Sequence, residues 1–199
     1  MAYEVEQKFL MGSQQEFLSF SDQMKELLPN QYRGIVRPII TEQDRYYNHP
    51  LRDFKQTDEA FRVRCREGKG FVTYKGPKLD AQTKTRREIE LPIFTHGGEE
   101  TVQSKADLDK WDELLQALGF TPVGTVFKIR QKINFWWEGF PVEMSLDQVP
   151  PFGYFVELEL IAPTEKELDA TRQTLLQIAD ALKLDVIVRK SYLDLVLNS

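Results

Sequence analysis

The chain has 199 residues, 41% hydrophobic and 29% charged, with a formal net charge of -5. That length suits one domain with a substantial core, and the acidic balance argues against a general nucleic-acid coat. A single cysteine, Cys65, permits no intrachain disulfide, and no apolar run approaches the ~20 residues that span a bilayer. No signal peptide opens the sequence and no linker composition divides it, so the expectation is one cytoplasmic domain, residues 1–199, with no membrane partner.

The opening AYEVEQKFL alternates Tyr3 and Val5 with Glu4, Glu6 and Lys8, a strand with one charged face. Ser13 and Glu16 form a capping box before an amphipathic helix carrying Phe17, Phe20, Met24, Leu27 and Leu28, which Pro29 should end. IVRPIITEQDRYYNHP reads as strand and turn, with Asn48 to Pro50 supplying the stop. FRVRCRE sets Arg62, Arg64 and Arg66 opposite Phe61, Val63 and Cys65; EGKG is a hairpin signal, and FVTYKGPK and TKTRREIELPI are the strands that follow. Ser104 with Asp107 predicts a helix start, with Gly119 as its stop. VFKIRQKINFWW, FPVEMSLDQV and YFVELELIA are strand-like, and Thr164 with Glu167 marks a further helix start before LDATRQTLLQIADALKL. The tail SYLDLVL is equally readable as helix or strand.

Short strands joined by tight turns indicate antiparallel pairing, and the charged stripe recurs in most of them. Lys128, Arg130 and Lys132 alternate with Phe127, Ile129 and Ile133, only Gln131 being out of type; Lys84, Arg86, Glu88 and Glu90 share a face; Glu143, Ser145 and Asp147 share another; Glu157 and Glu159 another; Thr73 and Lys75 another. The helices need an apolar surface to cover. If they pack on the apolar side of a sheet that curls into a barrel, the charged side becomes its lining, which gives an α+β class built on an antiparallel β-barrel with helices outside. A lumen crowded with charge is costly unless the charges pair or hold ligands. Inward arginines and lysines suit a triphosphate through charge-assisted hydrogen bonds, and glutamate pairs two residues apart suit Mg²⁺ or Mn²⁺. His49 and His96 lie in turn-like segments without zinc-site spacing, and no G-x-x-x-x-G-K-[ST] loop is present. Cys65, on an apolar face, reads as a small buried hydrophobe. Removing one of several crowded like charges relieves repulsion, so Arg62→Ala and Arg64→Ala are expected to melt no lower than wild type without ligand, unless each arginine is already paired with a lumen glutamate.

EVEQK resembles the E-x-E-x-K signature of the CYTH superfamily, the triphosphate tunnel metalloenzymes, which include class IV adenylyl cyclases and thiamine triphosphatases. QDRYYN, FRVRCRE, TYKGPK, RREIEL, KIRQK, SLDQV and VELEL extend the resemblance over almost the whole chain. YKGP and RKSYLDL look closer to the cyclase branch. The resemblance implies an eight-stranded tunnel with a charged lumen. It implies Glu4, Glu6, Glu157, Glu159 and Asp147 as metal candidates and Glu4, Glu6 and Lys8 as catalytic candidates. Lys8, Arg62, Arg64, Lys75, Arg86, Lys128 and Arg130 match positions that hold the substrate's phosphates; Glu88 and Glu90 match further lumen acids. The expected activity is Mg²⁺- or Mn²⁺-dependent conversion of ATP to cyclic AMP and pyrophosphate. The alternatives are hydrolysis of inorganic triphosphate, a nucleoside triphosphate or thiamine triphosphate, and non-catalytic polyphosphate binding. No side chain stands out as a general base, and a homodimer is left open.

Overall fold

The computed structural model describes residues 3–28, 34–79, 85–96 and 102–199. In chain order the elements are β1 (Tyr3–Leu10), α1 (Gln14–Leu27), β2 (Ile35–Asn48), β3 (Ala60–Arg66), β4 (Lys69–Lys75), β5 (Glu88–Thr95), α2 (Val102–Ala117), β6 (Thr121–Trp137), β7 (Phe140–Val149), β8 (Gly153–Ala162), α3 (Leu168–Ala181) and α4 (Tyr192–Leu197). The eight strands hydrogen-bond in the order β1-β8-β7-β6-β2-β3-β4-β5, and the strand pairs are antiparallel, as the tight turns imply. Among the described residues, no helix is long and apolar enough to cross a membrane.

Local chemistry accounts for most boundaries. β3 and β4 are joined by Glu67 and Gly68, with φ of 49° and 70°, the pair of left-handed conformations that a two-residue hairpin turn needs. Pro92 sits in β5, at one end of the strand order, where a missing N–H costs least. Ser13 caps α1, its hydroxyl accepting from the Glu16 N–H at 3.1 Å, while the Glu16 carboxylate accepts from the Gly12 N–H at 2.9 Å. α2 ends in a left-handed Gly119, φ 88°, whose N–H donates to the Gln116 carbonyl at 2.9 Å.

Two helix starts differ from expectation. α2 begins at Val102, so the buried Ser104 lies inside its first turn and is not its cap; Asp107 is engaged instead by His96, 2.6 Å away. Thr164 donates to the Glu167 carboxylate at 2.7 Å, but a 3-10 turn over Glu165–Glu167 intervenes before α3, and Thr164 makes no side-chain bond to the backbone. The tail resolves as a helix, because Ser191 and Asp194 complete a reciprocal capping box. Pro29 and Lys84 lie outside the described residues.

The chain separates into two compact units: Met1–Ile39 with Leu79–Thr85 and Ile129–Arg189, and Ile40–Lys78 with Arg86–Lys128 and Lys190–Ser199. In the first, Val5 and Phe9 of β1, Met144 of β7 and Val156, Leu158 and Leu160 of β8 form one core with Phe20 and Met24 of α1 and Leu175 and Ile178 of α3. In the second, Val63 and Cys65 of β3 and Tyr47 of β2 pack with Leu108 and Leu115 of α2. Helices therefore cover the apolar stripe in each, and each large side chain so buried contributes roughly 1.5–3 kcal/mol. Val63 is fully buried beside residues of α2. Val63→Arg should therefore cost at least about 3–5 kcal/mol, the scale for an uncompensated buried charge, seen as a lowered urea midpoint.

Candidate functional site

In the first unit, strand register lines the charged residues into rows. Glu6 of β1 stands opposite Glu159 of β8, which stands opposite Glu143 of β7, itself opposite Asn134 of β6. One step along, Lys8, Glu157, Ser145 and Lys132 form the next row; Asp147 and Arg130 face each other one step further. Strand alternation places these on the face opposite Val5, Leu158 and Met144, away from the helices. Arg130 donates through Nε to Asp147 Oδ1 at 2.6 Å, and through a second nitrogen to Asp147 Oδ2 and to Glu157. Lys8 is fully buried, its ammonium 4.0 Å from Glu157 and 5.8 Å from the Phe155 ring centre. The Lys132 ammonium donates to Glu143.

Among the described residues the acids outnumber the cations on this face: Glu4, Glu6, Glu143, Asp147, Glu157 and Glu159 against Lys8, Arg37, Arg130 and Lys132, Arg37 donating to Asn134 at 3.5 Å. Such a surplus is the donor chemistry that hard divalent cations take. Glu4 stands opposite Ile161, one step outside the row of Glu6, Glu159 and Glu143. Among the described residues, no three His, Cys, Asp or Glu side chains converge tightly enough to hold a metal ion. The carboxylates stand side by side along the row, and side-chain rotation would have to gather them. Asp147 already accepts from Arg130 through both oxygens, and would give up that fork to become a ligand.

On the charged face of the second unit Arg62, Arg64, Arg66, Lys75 and Lys128 meet Glu42, Asp44, Glu88 and Glu90, and the pairing is specific. Arg64 of β3 clasps Asp44 of β2 with Nε and a terminal nitrogen at 2.6 and 2.7 Å. Its other terminal nitrogen is 3.4 Å from Glu42. Lys128 of β6 lies 3.1 Å from Glu42 and 3.5 Å from Asp44; Arg62 lies 3.5 Å from Asp44, and Arg66 lies 3.6 Å from Glu42. The far side of Arg62 is 3.8 Å from both Glu88 and Glu90 of β5; Lys75 bonds Glu88 at 2.7 Å, and the Thr73 hydroxyl donates to Glu90 at 2.8 Å. Arg86, buried just ahead of β5, has a nitrogen 3.5 Å from the Gly76 carbonyl, and its charge acts on Asp58.

Burial alone would raise the Asp44 carboxyl, but Arg64, Lys128 and Arg62 around it overcome this and hold it well below the usual carboxylate range. Burial likewise disfavours the charged guanidinium of Arg62, and Asp44 foremost, with Tyr46 and Glu88, reverses that and binds its proton more firmly. The arginines of β3 are thus ion-pair partners of Glu42 and Asp44, so the exception to the expected relief of repulsion applies and their alanine variants should lose stability.

Glu42 and Asp44 were missed in the sequence, although they alternate in TEQDRYY at the spacing that marked the other strands. The tail helix is the other addition. The Tyr192 ring of α4 lies 5.5 Å from the Lys128 ammonium. A side chain at Gly124 would come within 3.2 Å of Leu193, so glycine lets α4 settle against the charged side of β6.

Three comparisons place this geometry among known proteins. A CYTH domain model matches residues 2–192. A Methanocaldococcus jannaschii protein named "Putative adenylate cyclase" is 38% identical over 156 residues, covering 77% of this chain and 80% of its own. The solved PH1819 protein of Pyrococcus horikoshii superposes with a TM-score of 0.73 at 34% identity over 98% of both chains. A Hippeastrum protein described as a "Putative adenylyl cyclase" that "reveals a dominant" triphosphatase activity shares the fold at a TM-score of 0.58 and 16% identity, over 100% of this chain and 95% of its own. The signature acids of β1, the arginine stripe of β3 and the late acids of β8 thus fall within a match that runs nearly end to end, and the chain belongs to the CYTH domain family.

Proposed function

We propose that this protein is a divalent-metal-dependent enzyme acting on triphosphate substrates, and that its reaction is that of an adenylyl cyclase, converting ATP to cyclic AMP and pyrophosphate. The observation that carries the metal-dependent reading is the register of β1 on β8, which sets Glu6 opposite Glu159 with Glu4 and Glu157 one step to either side. A protein that only bound polyphosphate would need the cations and gain nothing from aligned carboxylates. The cyclase reading takes its support from the M. jannaschii relative's name.

Glu4, Glu6, Glu157 and Glu159 are the proposed holders of Mg²⁺ or Mn²⁺, with Asp147 joining if Arg130 releases it. Bound there, the ion would supply charge neutralisation and acidify the attacking hydroxyl or water. The chain's own cations do the rest. Arg62, Arg64, Lys75, Arg86 and Lys128 are the proposed holders of phosphate oxygens in the second unit, and Lys8 and Arg130 in the first. Lys8 is enclosed and close to Glu157, so it offers a fixed positive charge. In a cyclase the ribose 3'-hydroxyl attacks the α-phosphorus and pyrophosphate departs; arginine and lysine stabilise the negative charge that collects on it. Hydrolysis of the terminal phosphate of inorganic triphosphate, a nucleotide or thiamine triphosphate is the second reading, favoured by the activity described for the Hippeastrum protein. Incubation with ATP, inorganic triphosphate and thiamine triphosphate plus Mg²⁺ or Mn²⁺, followed by chromatography, separates the two. Cyclic AMP with pyrophosphate supports the first, phosphate release the second, and no turnover removes both.

Glu6→Gln should lower turnover by more than about 100-fold while changing stability by less than about 1 kcal/mol, because it removes an anionic ligand with almost no change of shape. Arg62→Ala should weaken triphosphate binding by about 1.5–3 kcal/mol, the scale of a charged hydrogen bond, measured by calorimetry. Arg64→Ala should destabilise the empty protein by about 3 kcal/mol at pH 7, because it leaves Asp44 buried without its fork. The sign of its pH dependence follows from Asp44. A carboxyl held below its ordinary value of 3.8 lends stability above that pH and loses it as pH falls further. The gap between wild type and Arg64→Ala should therefore narrow below about pH 4 in urea titrations.

A further inference from the structure

Glu42 and Asp44 belong to neither the carboxylate row nor the phosphate-holding set, yet they are among the most enclosed charges in the chain, 0% and 1% exposed. Both project from alternate positions of β2 into the group formed by Arg62, Arg64, Arg66 and Lys128. We propose that Glu42 and Asp44 are positioning residues, built-in counter-anions that hold Arg62, Arg64 and Lys128 ready for phosphate and limit how tightly a triphosphate binds. The inference rests on the triphosphate reading above and adds how that site is kept assembled and how its affinity is set.

The geometry makes the anions competitors as well as supports. The two nitrogens of Arg64 that clasp Asp44 present the same paired donors that a phosphate would accept from, and the third nitrogen faces Glu42. Lys128 lies between the two carboxylates at 3.1 and 3.5 Å. A triphosphate entering this group must share or take over donors that the protein already satisfies, so part of the attraction is cancelled in advance. Without the two acids, four cations would face each other in a buried space, and the unliganded arrangement would spread apart. Moderate affinity has a use in turnover, since a reaction that generates pyrophosphate or phosphate must also release it.

The isosteric variants Asp44→Asn and Glu42→Gln remove one negative charge each and keep shape. Both should melt below wild type without ligand. With saturating inorganic triphosphate and no metal, both should gain more than wild type, by about 3–5 °C, corresponding to roughly tenfold tighter binding. In steady-state assays KM and kcat should fall together, as tighter product binding slows release. A purely structural role predicts the opposite pattern, a triphosphate-induced shift equal to or smaller than that of wild type, and that result would overturn the proposal. If Asp44→Asn does not fold, Glu42→Gln carries the same comparison. A wild type that shows no shift with triphosphate would remove the triphosphate reading along with this one, whereas a wild-type shift without enhancement in the variants removes only the counter-anion role.

Discussion

Enclosing guanidinium and ammonium groups as completely as Arg64 and Lys128 are enclosed commits a protein to supplying anions of equal burial. The second unit meets that demand from β2, and much of its architecture follows from the requirement. β2 must pair with β3 so that Asp44 falls opposite Arg64, which the observed register does. β5 must follow β4 so that Glu88 and Glu90 close the other side of Arg62. The apolar stripe between the arginines is then left to α2, and the core around Val63 and Cys65 is the reverse side of the same alternation. One period of two residues thus generates both the stability of this unit and its chemistry.

The first unit solves the complementary problem. Its surplus is acidic, and its cations are used to tie carboxylates together in place: Arg130 joins Asp147 to Glu157, and Lys132 holds Glu143. The helices α1 and α3 cover the opposite face with a largely apolar core, so the cost of aligned like charges is set against extensive burial a single strand-thickness away.

The strands and their faces were legible because most of them alternate charged residues with apolar ones. β2 was read as a strand, but its charged face escaped because both of its faces are polar over the critical segment. Gln43 and Arg45 alternate with Glu42 and Asp44, and Arg45 is used on the other side, where it bonds Asp109 of α2 at 2.7 Å. A hydrophobic period cannot be seen where a surface ion pair replaces the apolar residue. The start of α2 misled for a related reason: Ser104 and Asp107 have capping-box spacing, but Asp107 bonds a histidine at the end of another segment, which no local pattern encodes.

The pairing of β1 with β8 joins Tyr3 to Ala162 and Leu10 to Phe155, the two ends of the strand sequence. During synthesis the first strand therefore leaves the ribosome with its partner still unmade, and its hydrogen-bonding edge stays open until residue 162 has emerged. Glu4, Glu6 and Lys8 are made well before the residues they pair with. Pairing across such a span also carries the entropy of closing a very long loop, which places this protein among the slower-folding topologies. The charges on that waiting strand have a second use in this interval, because alternating Glu, Glu and Lys on an open edge discourage it from pairing with a neighbouring nascent chain.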